Sequence, residues 1–406
     1  MKDDTPTRLA VVLSHPTQYY SPWFRHIATR RGIELMVFYL WDFGVEDRYD
    51  PQFAQSLRWD IPLLDGYRSV FVPNRSDAPG THHFGGLDNP GLVEALVEYR
   101  PDAILLFGYA YRSHIRVLLS PRLSRVPILL RGDSHDLARP PGWKRALARS
   151  ARRLLFRRVA ACLAVGHNNA QYFRNSGVPA SRIHFVPHCV DNDRFQAAIP
   201  EATRNAAAWR TSLGIPGAAC LVVFAGKFEP KKCPLDLLDA FIGLREAGQA
   251  PGAALLFVGS GALEGAMRER AGDLIGRSVF FAGFQNQTRM PMVYASADVF
   301  VLPSFGSGET WGLAVNEAMN MARPSIVSSH VGCAADLVRP GETGWVFAAG
   351  DVAALRAVLA EALATDAAGR ARMGGNAQVL VREYGFDVAT DALLAVLQTS
   401  LHGGAA

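Results

Sequence analysis

The sequence predicts an α/β protein of two doubly wound parallel-sheet domains facing each other across a cleft. Three observations carry this reading. Twelve short runs are apolar throughout, longer amphipathic stretches separate them, and an alanine-rich segment with Gly/Pro punctuation parts the runs six and six. Continuous rather than alternating apolarity belongs to strands covered on both faces, as in parallel sheets with helices on either side.

In chain order, LAVVL (9–13), ELMVFYL (34–40), AILLF (103–107), PILLR (127–131), ACLAV (161–165) and IHFVP (183–187) give the strands of the first domain. CLVVFAG (220–226), ALLFVGS (254–260), VFFAG (279–283), VFVLP (299–303), PSIVSS (324–329) and GWVFA (344–348) give those of the second. The divider, FQAAIPEATRNAAAWRTSLGIPGA (195–218), reads as a polar helix followed by a turn. The boundary is set near residue 200, giving domains 1–200 and 201–385, and 386–406 is a closing helix that can cross back to the first domain. Such domains leave a cleft at the carboxyl ends of both sheets, where doubly wound folds bind ligands.

Composition narrows the function classes. With 406 residues, 49% hydrophobic and 19% charged, the chain can bury sizeable cores and shows no wholesale disorder. Cys162, Cys189, Cys220, Cys233 and Cys333 are scattered without a CxxC pair, which argues against a disulfide framework or zinc site and for a reducing compartment. The first residues lack a signal-peptide layout, and no run approaches the ~20 apolar residues of a membrane span. The expectation is a cytoplasmic protein, with peripheral attachment to the inner face of the cell membrane allowed. The net charge of +5 is compatible with phosphate-bearing ligands or an anionic membrane.

The second half carries the chemistry. In VFVLPSFGSGETWGLAVNEAM a strand, a glycine turn and a helix follow one another. The helix is predicted to start near Gly312, so its first amides have no internal partner and form an anion site aided by the helix dipole. Gly312 also lets a ligand approach the backbone. Glu309 lies just before the helix, and Glu317 lies one to two turns inside it with its side chain leaning back toward the start. Carboxylates so placed can accept hydrogen bonds from sugar and ribose hydroxyls; the bland alternative is a helix cap and a solvated glutamate. In VVFAGKFEPKKCP, Lys227 follows a strand and Lys232 precedes a helix, so two ammonium groups can hold a diphosphate. Read alone, that loop is equally an ordinary basic surface. Gly259 and Gly261 form a turn after another strand, and Gly283 and Phe284 end a fourth, where backbone groups can read a base edge. In a parallel sheet these four strand ends converge on one rim.

Together, GKFEPKKCP, GSGALEG, VFFAGF, YASADVFVLPS and GETWGLAVNEAMNMARPSIVSSHVGCAADLV resemble the retaining glycosyltransferases of family 4, over about residues 160–350. The resemblance implies the two-domain GT-B fold, a nucleotide-sugar donor (most often a UDP-sugar), a glycan or lipid-linked acceptor in cell-surface polysaccharide synthesis, no metal and no cofactor. It implies that Lys227 and Lys232 hold the donor diphosphate, Glu309 contacts the donor sugar, Glu317 binds the ribose hydroxyls, and the amides at Gly312 and Leu313 meet phosphate. It also implies chemistry without a protein nucleophile, in which a donor phosphate oxygen takes the acceptor proton and the enzyme supplies positioning and electrostatic support. The chain departs from the pattern in three places. Lys227 stands where many members have arginine, Cys233 where glycine is common, and the loop SFGSGE is longer than in many relatives.

The first half is less specific. SHPTQYYSPWF replaces the family's glycine-rich loop and puts His15, Gln18 and Tyr19 at the cleft as acceptor or sugar contacts. AILLF is followed by Gly108, by Tyr109 (an acceptor-side candidate) and later by His114, to which the family's sugar-touching histidine cannot be matched. In ILLRGDSHDL, Asp133 is the candidate for activating an acceptor hydroxyl; the alternative is a salt-bridged loop with Arg131 and His135. GWKRALARSARRLLFRRVA puts Arg145, Arg149, Arg152 and Arg153 on one helical face, roughly opposite Trp143, Leu147, Ala151 and Leu154. That pattern reads as a membrane-surface contact rather than a nucleic-acid site, since no groove of stacking aromatics accompanies it. The competing readings are a metal-dependent transferase using Asp191 to Asp193 as a DxD motif, a sugar-nucleotide epimerase or phosphorylase of similar architecture, and a non-catalytic nucleotide-sugar binder.

Overall fold

The computed structural model describes residues 5–45, 48–50, 55–138 and 142–402. Its first sheet contains β1 (Thr7–Leu13), β2 (Ile33–Tyr39), β5 (Arg68–Phe71), β6 (Ala103–Phe107), β7 (Ile128–Gly132), β8 (Ala161–Ala164) and β9 (Ile183–Phe185). A small antiparallel hairpin, β3 (Arg48–Asp50) and β4 (Gln55–Leu57), lies between β2 and β5 in sequence. The second sheet contains β10 (Cys220–Ala225), β11 (Ala253–Val258), β12 (Val279–Phe281), β13 (Val299–Leu302), β14 (Ser325–Ser328) and β15 (Gly344–Phe347). The strand orders are β5-β2-β1-β6-β7-β8-β9 and β12-β11-β10-β13-β14-β15, and the pairs within both sheets are parallel.

The apolar runs become strands because helices cover both sheet faces. β6 and β11 are buried at every position. In register, Val11 faces Val37 on one side and Leu105 on the other, and Val223 likewise faces Leu256 and Phe300. Each sheet therefore separates two apolar layers. All twelve predicted runs are strands. Sequence reading missed β5 and the hairpin; β5 (RSVF) is an edge strand with mostly exposed side chains, so it has no apolar run.

The order of strands reverses beside β1 and again beside β10, which opens a crevice at the carboxyl end of each sheet. The predicted divider is two helices, Asn192–Ala197 and Ile199–Ser212, the second with Pro200 in its first turn. Asp191 caps the first by accepting from the Arg194 amide at 2.9 Å, so the Asp-Asn-Asp stretch is a helix start. The last helix, Phe386–His402, lends Ala389, Leu393, Val396 and Leu397 to a core layer of the first sheet. Its Thr390 accepts a hydrogen bond from the Trp23 indole at 3.0 Å. Burying leucines at ~1.5–3 kcal/mol each is ample to hold such a helix there.

The two halves are tied on both sides of the crevice. Asp336 of the second accepts hydrogen bonds from the His167 amide (3.0 and 3.1 Å) and imidazole (2.9 Å), capping the helix His167–Asn175 from across the interface. Asp60 of the first accepts from the amide and hydroxyl of Thr288, and Asn286 donates to the Arg58 carbonyl at 2.8 Å. No helix among the described residues is long and apolar enough to cross a membrane.

Candidate active site

A cavity of about 420 Å³ lies in the crevice and takes walls from both halves. Lys227, Lys232, Glu309, Gly312, Leu313 and Glu317 line it from the second half, and His15, Gln18, Tyr19 and Asp133 from the first.

The lysines reach it because β10 ends at Ala225 and the chain turns through Gly226 into a short 3₁₀ segment, Pro230–Lys232. Cys233 then adopts φ 51° and ψ 45°, and the helix Pro234–Glu246 starts beside it. This left-handed conformation explains why glycine suits the position. The Lys232 ammonium pairs with the Glu309 carboxylate, which also accepts from the Ser304 hydroxyl at 2.9 Å. Lys231 turns instead to Glu229, at 3.1 Å.

The helix Leu313–Asn320 begins as predicted, with Gly312 as its N-cap at φ 98°. Packing adds a reason for glycine here. A Cβ at Gly312 would lie 2.8 Å from Val331 Cγ1 and 3.0 Å from Leu302 Cδ2, so close packing and the positive φ require it. Glu317 is buried, and one carboxylate oxygen accepts from the Tyr294 hydroxyl at 2.6 Å. The other has no hydrogen-bond partner among the described residues. Burial pushes the Glu317 carboxyl up to about 7. Burial, followed by the Glu317 charge, also pushes Tyr19 well above the usual phenol range.

Two glycine assignments are corrected. Gly259 and Phe284 line the cavity, whereas Gly261 and Gly283 do not. Gly261 (φ 152°) packs against the Phe228 backbone, which a Cβ would meet at 2.7 Å, and the Gly283 carbonyl accepts from the Gly259 amide at 3.1 Å. Both shape the turn behind the wall. The neighbouring loop is fixed by Arg194, which donates to the carbonyl and side chain of Gln287 at 2.9 and 3.0 Å.

On the other wall, Asp133 accepts from the Thr310 hydroxyl at 2.6 Å, a bond between the two halves. The alternative of a salt-bridged loop is corrected. Arg131 is fully buried, donates to the carbonyls of Val186 and Pro187 at 2.7 and 2.8 Å, and stacks on Trp23. His135 donates from Nε2 to the Glu309 carbonyl at 3.3 Å and accepts the Leu137 amide at Nδ1. His15 sits beside Trp41 and Phe43 and bonds the Ser14 hydroxyl at 3.0 Å. Tyr109 is not among the residues that line this cavity, and its hydroxyl bonds the Tyr172 hydroxyl.

Sequence reasoning missed Thr310, His188 and Tyr294. His188 stacks between Tyr20 and Trp311 and accepts the Asn316 amide at its carbonyl, at 3.2 Å. Burial and then the Arg131 charge hold its imidazole well below the usual range. No local spacing could have found these residues, because their partners lie far away in sequence. The basic helix, Gly142–Leu155, exposes Trp143, Leu147 and Leu154. Arg152, however, lies over the Tyr172 ring at 4.7 Å and donates to Ser176 at 2.9 Å, and the Arg153 stem packs on Gly177. The Arg145 side chain lies outside the described residues.

With this geometry in view, comparison with known proteins is informative. Residues 205–379 match the family described as "Glycosyl transferases group 1", and residues 67–189 match the "Glycosyl transferase 4-like domain". The chain belongs to the family 4 type of GT-B glycosyltransferases. Among relatives of this family, the phosphatidyl-myo-inositol mannosyltransferase of Mycobacterium leprae is 32% identical over 47% of this chain and 50% of its own. The chain spans about half the length of the first curated relatives it matches. A Corynebacterium glutamicum protein named as a GDP-mannose-dependent monoacylated α-(1-6)-phosphatidylinositol monomannoside mannosyltransferase is 28% identical over 98% of this chain and 96% of its own. The crystal structure of Anabaena HepE with UDP and glucose has the same fold, with a TM-score of 0.71 at 18% identity over 97% of this chain and 100% of that one. WaaG, a glycosyltransferase of lipopolysaccharide biosynthesis, follows at 0.66 and 17%, over 96% and 98%.

Proposed function

We propose that this protein is a retaining, metal-independent glycosyltransferase that moves a sugar from a nucleoside diphosphate sugar to a hydroxyl of a glycan or lipid-linked acceptor. One observation carries the reading: two lysines, two glutamates and a helix start line a single cleft between two doubly wound halves. Lys227, Lys232 and the amides at Gly312 and Leu313 take the diphosphate and offset its charge as it leaves. Glu317, with an unpartnered oxygen, accepts from the ribose diol. Glu309 accepts from the donor sugar and parts from Lys232 as the diphosphate takes the ammonium. Transfer breaks the bond from the anomeric carbon to the diphosphate oxygen and forms one from that carbon to the acceptor oxygen. The acceptor proton passes to the departing phosphate, while Asp133 orients the acceptor hydroxyl.

Charge compensation by lysines and amides supports independence from metal. Uracil and guanine are the bases proposed, and the naming of the Corynebacterium relative for GDP-mannose supports the second. Thermal shifts with UDP, GDP and ADP, with and without chelator, test the donor reading. The expected result is a chelator-insensitive shift with UDP or GDP and release of the diphosphate from the matching sugar nucleotide. No shift with any nucleotide overturns it.

The exposed Trp143, Leu147 and Leu154, at 69, 67 and 67% accessibility, favour peripheral membrane attachment of the helix Gly142–Leu155. Among its described cations are Lys144, whose ammonium lies over the Trp143 ring, Arg149 and Arg153, with Arg152 committed to Tyr172.

A further inference from the structure

A second cavity, of about 340 Å³, opens at the carboxyl ends of the first sheet's strands. Four tyrosines line it: Tyr20, Tyr109, Tyr111 and Tyr172. Asp133 belongs to the walls of both this cavity and the donor cleft, so the two meet at the residue that orients the acceptor hydroxyl.

His114 forms part of the wall and is completely buried, yet neither ring nitrogen has a hydrogen-bond partner among the described residues. Buried polar groups are nearly always paired, so an imidazole with both nitrogens unmet is unusual. Its surroundings hold it in place: the ring leans on Tyr111 with centroids 5.1 Å apart, and Gly108 presents no side chain where its backbone passes the ring. Burial pushes His114 down to about 3, so the ring is neutral at working pH. A neutral imidazole offers one donor and one acceptor. Among the described residues of the wall the one cation, Arg131, spends its guanidinium on the Val186 and Pro187 carbonyls. The Asp133 carboxylate repels an anionic ligand, while aromatic faces and a neutral donor–acceptor pair match a ring with apolar C–H faces and hydroxyl edges.

We propose that this cavity is the acceptor subsite, that it takes a neutral saccharide or cyclitol ring, and that His114 reads one or two of its hydroxyls. The inference rests on the glycosyltransferase reading and specifies its acceptor. His114 therefore serves the acceptor, not the donor sugar, since it lines this cavity and is absent from the donor cleft.

Saturation-transfer NMR with myo-inositol, methyl α-D-mannopyranoside and methyl β-D-glucopyranoside tests it, each in the presence of saturating UDP or GDP. At least one ring should receive saturation from the protein, and its apparent Kd should rise at least tenfold in His114→Leu. His114→Asn, which keeps a donor and an acceptor, should recover part of the signal. Thermal shifts with nucleotide report whether each variant is folded, and Tyr111→Leu, at the half-exposed rim, gives the same readout should His114→Leu not fold. Saturation transfer to none of the three rings, or equal transfer in wild type and His114→Leu, overturns the proposal. Failure of the glycosyltransferase reading is distinct: it appears as absence of any nucleotide shift in the wild type.

Discussion

Replacing Glu317 with glutamine separates what this side chain costs the folded protein from what it contributes to a nucleotide. Glutamine keeps an acceptor for the Tyr294 hydroxyl and never ionises. The carboxyl of Glu317 is pushed from 4.5 to about 7 by burial. Below pH 4.5 it is protonated in folded and unfolded chains alike and changes nothing. As pH rises, the unfolded chain releases this proton first, so wild type loses stability relative to the variant until pH passes about 7. The full deficit is about 3 kcal/mol, and at pH 5 it is still under about 1 kcal/mol. Glu317→Gln should therefore raise ligand-free stability at pH 8.5, with a Tm gain on the order of 5–10 °C at ~2–4 °C per kcal/mol. At pH 5 the gain should nearly vanish. Calorimetric melting at the two pH values is the assay. Nucleotide affinity should move the other way, falling roughly 10- to 100-fold as hydrogen bonds to a charged acceptor are lost. A stability gain equal at both pH values, or one larger at pH 5, would refute the burial argument.

Four further outcomes follow. Lys232→Ala should weaken UDP or GDP binding roughly tenfold or more by calorimetric titration, because it removes a charge-assisted diphosphate contact and leaves Glu309 with the Ser304 hydroxyl as its remaining side-chain partner. Glu309→Gln should bind nucleotide yet lose transfer, measured as product formed per unit time with saturating donor. Cys233→Gly should stabilise the lysine loop by about 1 kcal/mol in denaturant melts, since it relieves a left-handed φ of 51° in a residue with a Cβ. Charge reversal at Arg149 together with Trp143→Ala should reduce sedimentation with anionic vesicles and flatten its salt dependence; unchanged pelleting would remove the membrane reading.

The sheets were legible because parallel strands buried on both faces must be apolar throughout, and that pattern survives without any knowledge of partners. The exposed edge strand Arg68–Phe71 obeys no such constraint and was invisible. The lysine loop, the glutamates and the helix start were legible for a similar reason: each follows a strand end, and the parallel topology brings strand ends together. Arg131 shows where this logic stops. Two positions from Asp133 it reads as a loop partner, but the guanidinium turns inward to the Val186 and Pro187 carbonyls and the Trp23 ring. Whether a strand-end charge faces the cleft or the core depends on helices that dock from far along the chain, here the one carrying Thr390.

The segment from Ser304 to Glu317 explains why a two-domain protein of this kind has one site and not two half-sites. Within fourteen positions it holds the Glu309 carboxylate on Ser304 and Lys232, gives the Glu309 carbonyl to His135, ties Thr310 to Asp133, and packs Trp311 against His188. The donor-side carboxylate is thus positioned partly by the opposite half. Any relative motion of the halves strains the Thr310–Asp133 and Glu309–His135 bonds before it disturbs either core, because both bonds are among the few that cross the gap beside the site. On the proposed function, grip on the donor and orientation of the acceptor hydroxyl should rise and fall together. Thr310→Val, which removes one hydroxyl and preserves shape, should lower kcat more than it raises the nucleotide Kd. An equal loss in both would show that the segment serves donor binding alone.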